Sequence, residues 1–193
     1  MSSQGCCPAS TKSLGEQSFV SPEGNNGSVF GGRLYINEGP ASDALVFDAM
    51  TGETVGTFDK DAMVAFHAGR GFFASGSTLE ARSIPSMTSS WKLAASDTIA
   101  ATPIVVNGRV YIAGTSGTIT AIDEQSGALV WSQDLNLGPS VGFAGDKESP
   151  RSALGAGGGA LVVPWGNRLV ALWRAGIGRG PLKIRSTPPL VQA

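Results

Sequence analysis

Charge is scarce in this chain of 193 residues. Asp, Glu, Lys and Arg make up 15% of it, and 14 basic against 15 acidic side chains leave a formal net charge of −1. Nothing here builds the broad electropositive footprint that attracts a phosphate backbone, so no nucleic-acid partner is expected. Histidine is scarcer still, with His67 alone in the segment Ala-Phe-His-Ala-Gly. A metal centre or proton shuttle made of histidines would need a second one, and His67 reads instead as a residue at the end of a strand. Long apolar runs are missing too: the longest reach about five to seven residues against the ~20 of a membrane-spanning helix, so no transmembrane segment is expected. The opening Met1-Ser-Ser-Gln-Gly-Cys-Cys-Pro has neither a basic n-region nor an apolar h-region, and as written it predicts no secretory signal.

What the chain does have is glycine, 27 residues of it, recurring between short runs of Val, Ile, Leu and aromatics. That is the composition of turns joining strands, and a chain of this length predicts one all-β domain. The clearest unit runs from Thr102 to Leu135. Pro103-Ile-Val-Val precedes Asn107-Gly108 and Arg109-Val-Tyr-Ile-Ala follows it, a hairpin whose two-residue type I′ turn needs positive φ at both positions. Gly114-Thr-Ser-Gly117 then turns the chain into Thr118-Ile-Thr-Ala-Ile-Asp, and Glu124-Gln-Ser-Gly127 turns it into Ala128-Leu-Val-Trp-Ser-Gln. Four short strands result. Gly32-Arg-Leu-Tyr35, Gly69-Arg-Gly-Phe72 and Gly108-Arg-Val-Tyr111 align, with aromatics 37 and 39 residues apart. A period near 40 with several strands per unit belongs to propellers, and the 3.6-residue spacing of helical repeats does not occur.

The segment Ala121-Ile-Asp-Glu-Gln-Ser-Gly127-Ala-Leu-Val-Trp131 resembles the tryptophan-docking motif of pyrroloquinoline-quinone-type β-propellers. A second copy keeps Ala81 and Trp91 but has Met87 at the glycine position; a first has Val46, Asp48 and Gly52, with Gly56 in place of the tryptophan. A fourth starts at Gly157-Gly-Gly-Ala-Leu-Val-Val and reaches Ala171-Leu-Trp173 without the Gly-to-Trp completion. Physically, Gly127 suits a tight turn with positive φ, Trp131 offers a flat surface to stack between blades, and Asp123 accepts N–H bonds from the residues after it. Ala121, Asp123, Gly127, Trp131, Ala81, Trp91, Asp48 and Gly52 are therefore read as architecture, with no catalytic role. The resemblance implies a partial β-propeller of about four blades of four antiparallel strands. Residues 1–16 are expected to be a flexible N-terminal segment, 17–175 the blades, and 176–193 an irregular tail.

Two features invite a chemical reading. The adjacent pair Cys6-Cys7 is similar to the cysteine pair that quinone-dependent alcohol dehydrogenases of this fold place against their cofactor, pyrroloquinoline quinone held with calcium. In those enzymes the pair lies inside the propeller, whereas here it precedes the first strand, and no segment matches their calcium-ligand and catalytic-aspartate motifs. The expectation is no cofactor and no metal. The long stretch from Asn136 to Ser152 contains Asp146, Lys147, Glu148 and Arg151 and exceeds the usual link between strands, so Asp146, Glu148 and Arg151 form a possible binding loop.

The resemblance is closest in character to the propeller lipoprotein of the outer-membrane barrel assembly machinery. It implies a non-catalytic scaffold for protein binding or assembly in the bacterial periplasm or cell envelope. The alternatives are a fragment of a quinone-dependent alcohol or sugar dehydrogenase and a sensor propeller of a larger regulatory protein. With about four blades, against the seven or eight usual for that family, association with a protein partner or with itself through the terminal blades is expected.

Overall fold

The computed structural model describes residues 26–37, 43–59, 61–136, 154–165, 168–174 and 182–186. Cys6, Cys7, Asp146, Glu148, Arg151 and the segment 1–16 lie outside the described residues. Among those described there are sixteen strands and no helix, arranged as four sheets in which each strand pairs with the next in sequence. The first sheet holds β1 (Asn26–Phe30), β2 (Arg33–Asn37), β3 (Asp43–Asp48) and β4 (Thr54–Asp59). The second holds β5 (Met63–His67), β6 (Arg70–Ser75), β7 (Thr78–Ser83) and β8 (Ser89–Ala94). The third holds β9 (Ile104–Val106), β10 (Arg109–Ala113), β11 (Thr118–Asp123) and β12 (Leu129–Asp134); the fourth holds β13 (Gly155–Gly157), β14 (Ala160–Trp165), β15 (Arg168–Arg174) and β16 (Leu182–Ser186). The chain divides into two compact units, Met1–Ala62 with the first sheet and Met63–Ala193 with the other three.

Local chemistry explains why each sheet is a meander. The first two strands are joined in every case by two residues of positive φ: Gly31-Gly32, Ala68-Gly69, Asn107-Gly108 and Gly158-Gly159. Such a turn matches the right-handed twist of the strands it joins. Beyond it, an aromatic faces a small residue across the ladder, which faces the tryptophan position in turn: Phe72, Ala81 and Trp91 in the second sheet, Tyr111, Ala121 and Trp131 in the third. The alanine leaves room for the flanking rings to approach, with centroids 5.9 Å apart for Phe72 and Trp91 and 6.3 Å for Tyr111 and Trp131. In the first sheet Tyr35, Val46 and Gly56 hold these positions, and Tyr35 meets Phe58 edge-on instead. The register of the third and fourth strands shifts after Val46, Ala81 and Ala121 alike, a bulge at the same place in three repeats.

In the larger unit the period-2 alternation of the strands supplies two apolar faces per sheet. Phe72, Ala74, Leu79 and Ala81 pack with Val110, Ile112 and Ile122. On its other face the third sheet presents Ala113 and Ile119, with Tyr111 and Trp131, to Leu161, Val163 and Leu172. The inner strand β9 lies against both β5 and β13.

Within the segment 176–193, expected to be an irregular tail, the described residues Leu182–Ser186 form a strand that pairs with β15. Leu182-Lys-Ile184-Arg alternates apolar and basic residues with the period of a strand. Flanking prolines and a missing Gly-to-Trp signature hide it.

Candidate functional site between the second and third sheets

Three side chains of the second sheet converge on the turn between β11 and β12. The Trp91 ring lies over Gly127, where an added Cβ would come within 2.6 Å of the indole. Its Nε1–H donates to the carbonyl of Glu124 at 3.1 Å, and Arg70 Nη1 donates to the same carbonyl at 2.9 Å. Gly127 therefore answers two demands, a φ of +72° and the absence of a side chain beneath an indole. The Glu124 carboxylate is only 3% exposed, so it needs a strong partner. His67, at the end of β5, supplies one: Nδ1 donates to Oε1 at 2.7 Å.

Arg70 reaches the next sheet because its own sheet does not hold it. At the equivalent place Arg33 pairs with Asp48, and Arg109 donates to Asp123 Oδ2 at 2.8 Å. Across from Arg70 the aspartate position is Ser83. Asp123 Oδ1 accepts the N–H groups of Gln125 at 3.2 Å and Ser126 at 3.1 Å, and Asp48 Oδ1 those of Met50 at 2.9 Å and Thr51 at 3.0 Å. These bonds, led by Ser126 N–H for Asp123 and by Thr51 N–H for Asp48, hold both carboxyls below the usual aspartate range. Asp97, before β9, clamps the following turn by accepting from Thr115 Oγ1 at 2.7 Å and from Ser116 N.

Of the residues singled out in the sequence, Trp91, Asp123 and Gly127 thus meet at or beside one junction. Ala81 and Ala121 lie fully buried under the rings of their sheets, and Asp48 and Gly52 shape the equivalent turn of the first sheet, where Gly52 N–H returns to the Asp48 carbonyl. Trp131 is half-buried against the core shared by the third and fourth sheets; the turn after β15, which it would face by analogy with Trp91, lies outside the described residues. Glu124 escaped the sequence reading. The available signal was a double departure from the repeat: Glu124 stands where Ala49 and Ile84 stand, and His67 where Phe30 and Val106 stand. Among the described residues no three His, Cys, Asp or Glu side chains come together as a metal site.

Repeated four-stranded meanders, which in the larger unit pack face to face with inner strand beside inner strand, define an all-β, partial β-propeller. The chain belongs to the family of the outer membrane protein assembly factor BamB, whose model matches residues 41–186. Among solved structures it is similar to BamB from Moraxella catarrhalis (18% identity, TM-score 0.55, covering 73% of this chain and 46% of that one). It is also similar to the computationally designed Ika8 protein (15% identity, TM-score 0.55, 70% of this chain and 41% of that one). In sequence it is 31% identical over 84 residues to the quinohemoprotein alcohol dehydrogenase of Comamonas testosteroni, covering 43% of this chain and 12% of the enzyme. The chain spans less than half the length of each of these relatives.

Proposed function

We propose that this chain is a non-catalytic propeller scaffold for protein assembly at the bacterial cell envelope, with a role in building outer-membrane proteins. Family membership supports the reading, and one structural observation carries it: the ionic groups at the junction are occupied in holding the repeats. Asp123 caps its turn, Arg70 bridges to the next sheet, and Glu124 is buried against His67. Each of them makes contacts within or between neighbouring repeats. Such a surface suits protein binding through its shape, and the sequence stretch with Asp146, Glu148 and Arg151 is the proposed binding segment. The test is deletion of the gene in its own bacterium. Lowered amounts of outer-membrane barrel proteins, restored by the intact chain exported to the envelope, are the expected result; unchanged barrel levels would overturn the reading.

A second reading, a piece of a quinone-dependent alcohol or sugar dehydrogenase, draws support from the 84 residues shared with the Comamonas enzyme. Bound pyrroloquinoline quinone would accept the hydride equivalent, with Cys6-Cys7 the pair set against it. Purified chain incubated with the quinone, calcium, an alcohol and an artificial electron acceptor distinguishes the two. Quinone-dependent dye reduction, lost on Cys6→Ser with Cys7→Ser, would favour the enzyme; no reduction is expected of a scaffold.

A further inference from the structure

The turn between the first two strands recurs in all four sheets, and in one of them its chemistry differs. Gly31-Gly32, Ala68-Gly69 and Gly158-Gly159 carry no reactive side chain, whereas the third sheet has Asn107-Gly108. Both residues are exposed, and no atom lies within 4 Å of the place where a Gly108 Cβ would stand. Among the described residues the Gly108 N–H, in the turn and outside the strand ladder, donates to no other backbone carbonyl. The Gly108 carbonyl is engaged, for it accepts the N–H of Glu124 at 3.1 Å. Glu124 is the residue on which the second sheet closes, through Arg70, Trp91 and His67. An exposed Asn-Gly pair thus stands one hydrogen bond away from the junction.

We propose that Asn107 is a site of spontaneous covalent modification, cyclising onto Gly108 and opening to isoaspartate or aspartate, and that the isoaspartate product loosens the junction at Glu124. The Gly108 amide nitrogen gives its proton to solvent base and bonds to Asn107 Cγ. The bond from Cγ to the side-chain nitrogen breaks, and ammonia leaves. The five-membered imide then takes up one water. Opening at the main-chain carbonyl routes the backbone through the side chain as isoaspartate, and opening at Cγ gives aspartate. One water enters, one ammonia leaves, and no electrons are exchanged. A side chain on the following residue would crowd the attacking nitrogen, and Gly108 has none. Isoaspartate adds a backbone methylene to a two-residue turn, so Val106 and Arg109 no longer meet in register and the Gly108 carbonyl moves off the Glu124 N–H. Aspartate keeps the backbone and adds only a charge. Such ageing is independent of whether the chain is a scaffold or a piece of an enzyme.

The test stores the full chain in mildly alkaline buffer and follows its proteolytic peptides by mass spectrometry. The peptide spanning Asn107 is expected to gain the mass of OH in exchange for NH2, as two products that chromatography separates. Asn107→Gly, which gives this turn the composition of its counterparts in the first and fourth sheets, is expected to lose that signal while keeping the fold. In the fractionated isoaspartate form, amide exchange at Glu124 is expected to be faster and the urea midpoint lower than in the fresh chain. The Asn107→Asp variant is expected to keep both near the fresh values, since its backbone is unaltered. The chain's other Asn-Gly pair, Asn26-Gly27, belongs to β1, and molecules modified there alone are expected to leave Glu124 exchange unchanged. An Asn107 that stays intact in the folded chain while a synthetic peptide of residues 104–111 converts would overturn the proposed site. Isoaspartate at 107 with unaltered exchange at Glu124 would overturn the link to the junction.

Discussion

At the scale of single residues, Gly127 and Gly108 have nearly the same backbone, with φ of +72° and +70°, but different surroundings. A Cβ at Gly108 meets nothing within 4 Å, while one at Gly127 collides with the Trp91 indole. Alanine at either position bears the left-handed backbone cost of about 1–2 kcal/mol, and at Gly127 overpacking adds about 1–3 kcal/mol. Chemical denaturation is therefore expected to show Gly127→Ala clearly less stable than Gly108→Ala; equal losses would mean that the indole does not rest on the glycine. Asp48 and Asp123 make a pH-dependent contribution. Their turns favour the charged carboxylate, so the folded chain holds fewer protons there than the unfolded one. The resulting stability is present above the ordinary aspartate value of about 4 and is lost as pH falls through the lowered folded values. The unfolding midpoint should decline on acidification below about pH 4. Asp123→Asn, which keeps an acceptor for Ser126 N–H but no titrating proton, should decline less steeply. An identical acid limb in both proteins would remove Asp123 from that account.

At the scale of elements, the strands were legible wherever turn chemistry punctuates them. Asn107-Gly108 announces its hairpin, and Asp123 with Gly127 announces the next turn, because each of these residues does something few others can: tolerate positive φ or cap free N–H groups. The same rule explains what stayed hidden. β16 lacks a preceding Gly-to-Trp signature, and the contact of His67 with Glu124 joins residues 57 apart, a pairing that no local pattern encodes. The partner of Trp91 was hidden for the same reason, since the motif's glycine and the tryptophan that covers it come from different repeats. Position within the repeat also ranks the tryptophans. Trp131 packs against Tyr111 and the core between the third and fourth sheets, whereas Trp173 occupies the place of Asp123 in its sheet, opposite Ala160. Trp131→Ala is expected to cost about 3–5 kcal/mol, and Trp173→Ala less, as read from urea midpoints of the two variants. A larger loss for Trp173 would show that the fourth sheet carries the tighter packing.

At the scale of the whole molecule, the question is whether the larger unit behaves as one core or as a series of neighbours. The third sheet separates two apolar layers, one with Phe72 and Leu79 and the other with Leu161 and Val163. Trp91 belongs to the first and Trp131 to the second. If stability is a sum of repeat and nearest-neighbour contributions, removing both indoles should cost the sum of the single losses within about 0.5 kcal/mol. Trp91→Ala with Gly127→Ala provides the contrast. There the cavity left by the indole accepts the new methyl group, so the pair should cost less than its sum. Strong coupling between Trp91 and Trp131 would instead mean that the third sheet transmits strain from one face to the other, so that damage at either interface loosens both. Additivity, measured together with slowed or hastened amide exchange confined to the sheets flanking each substitution, would establish the repeat as the unit of stability.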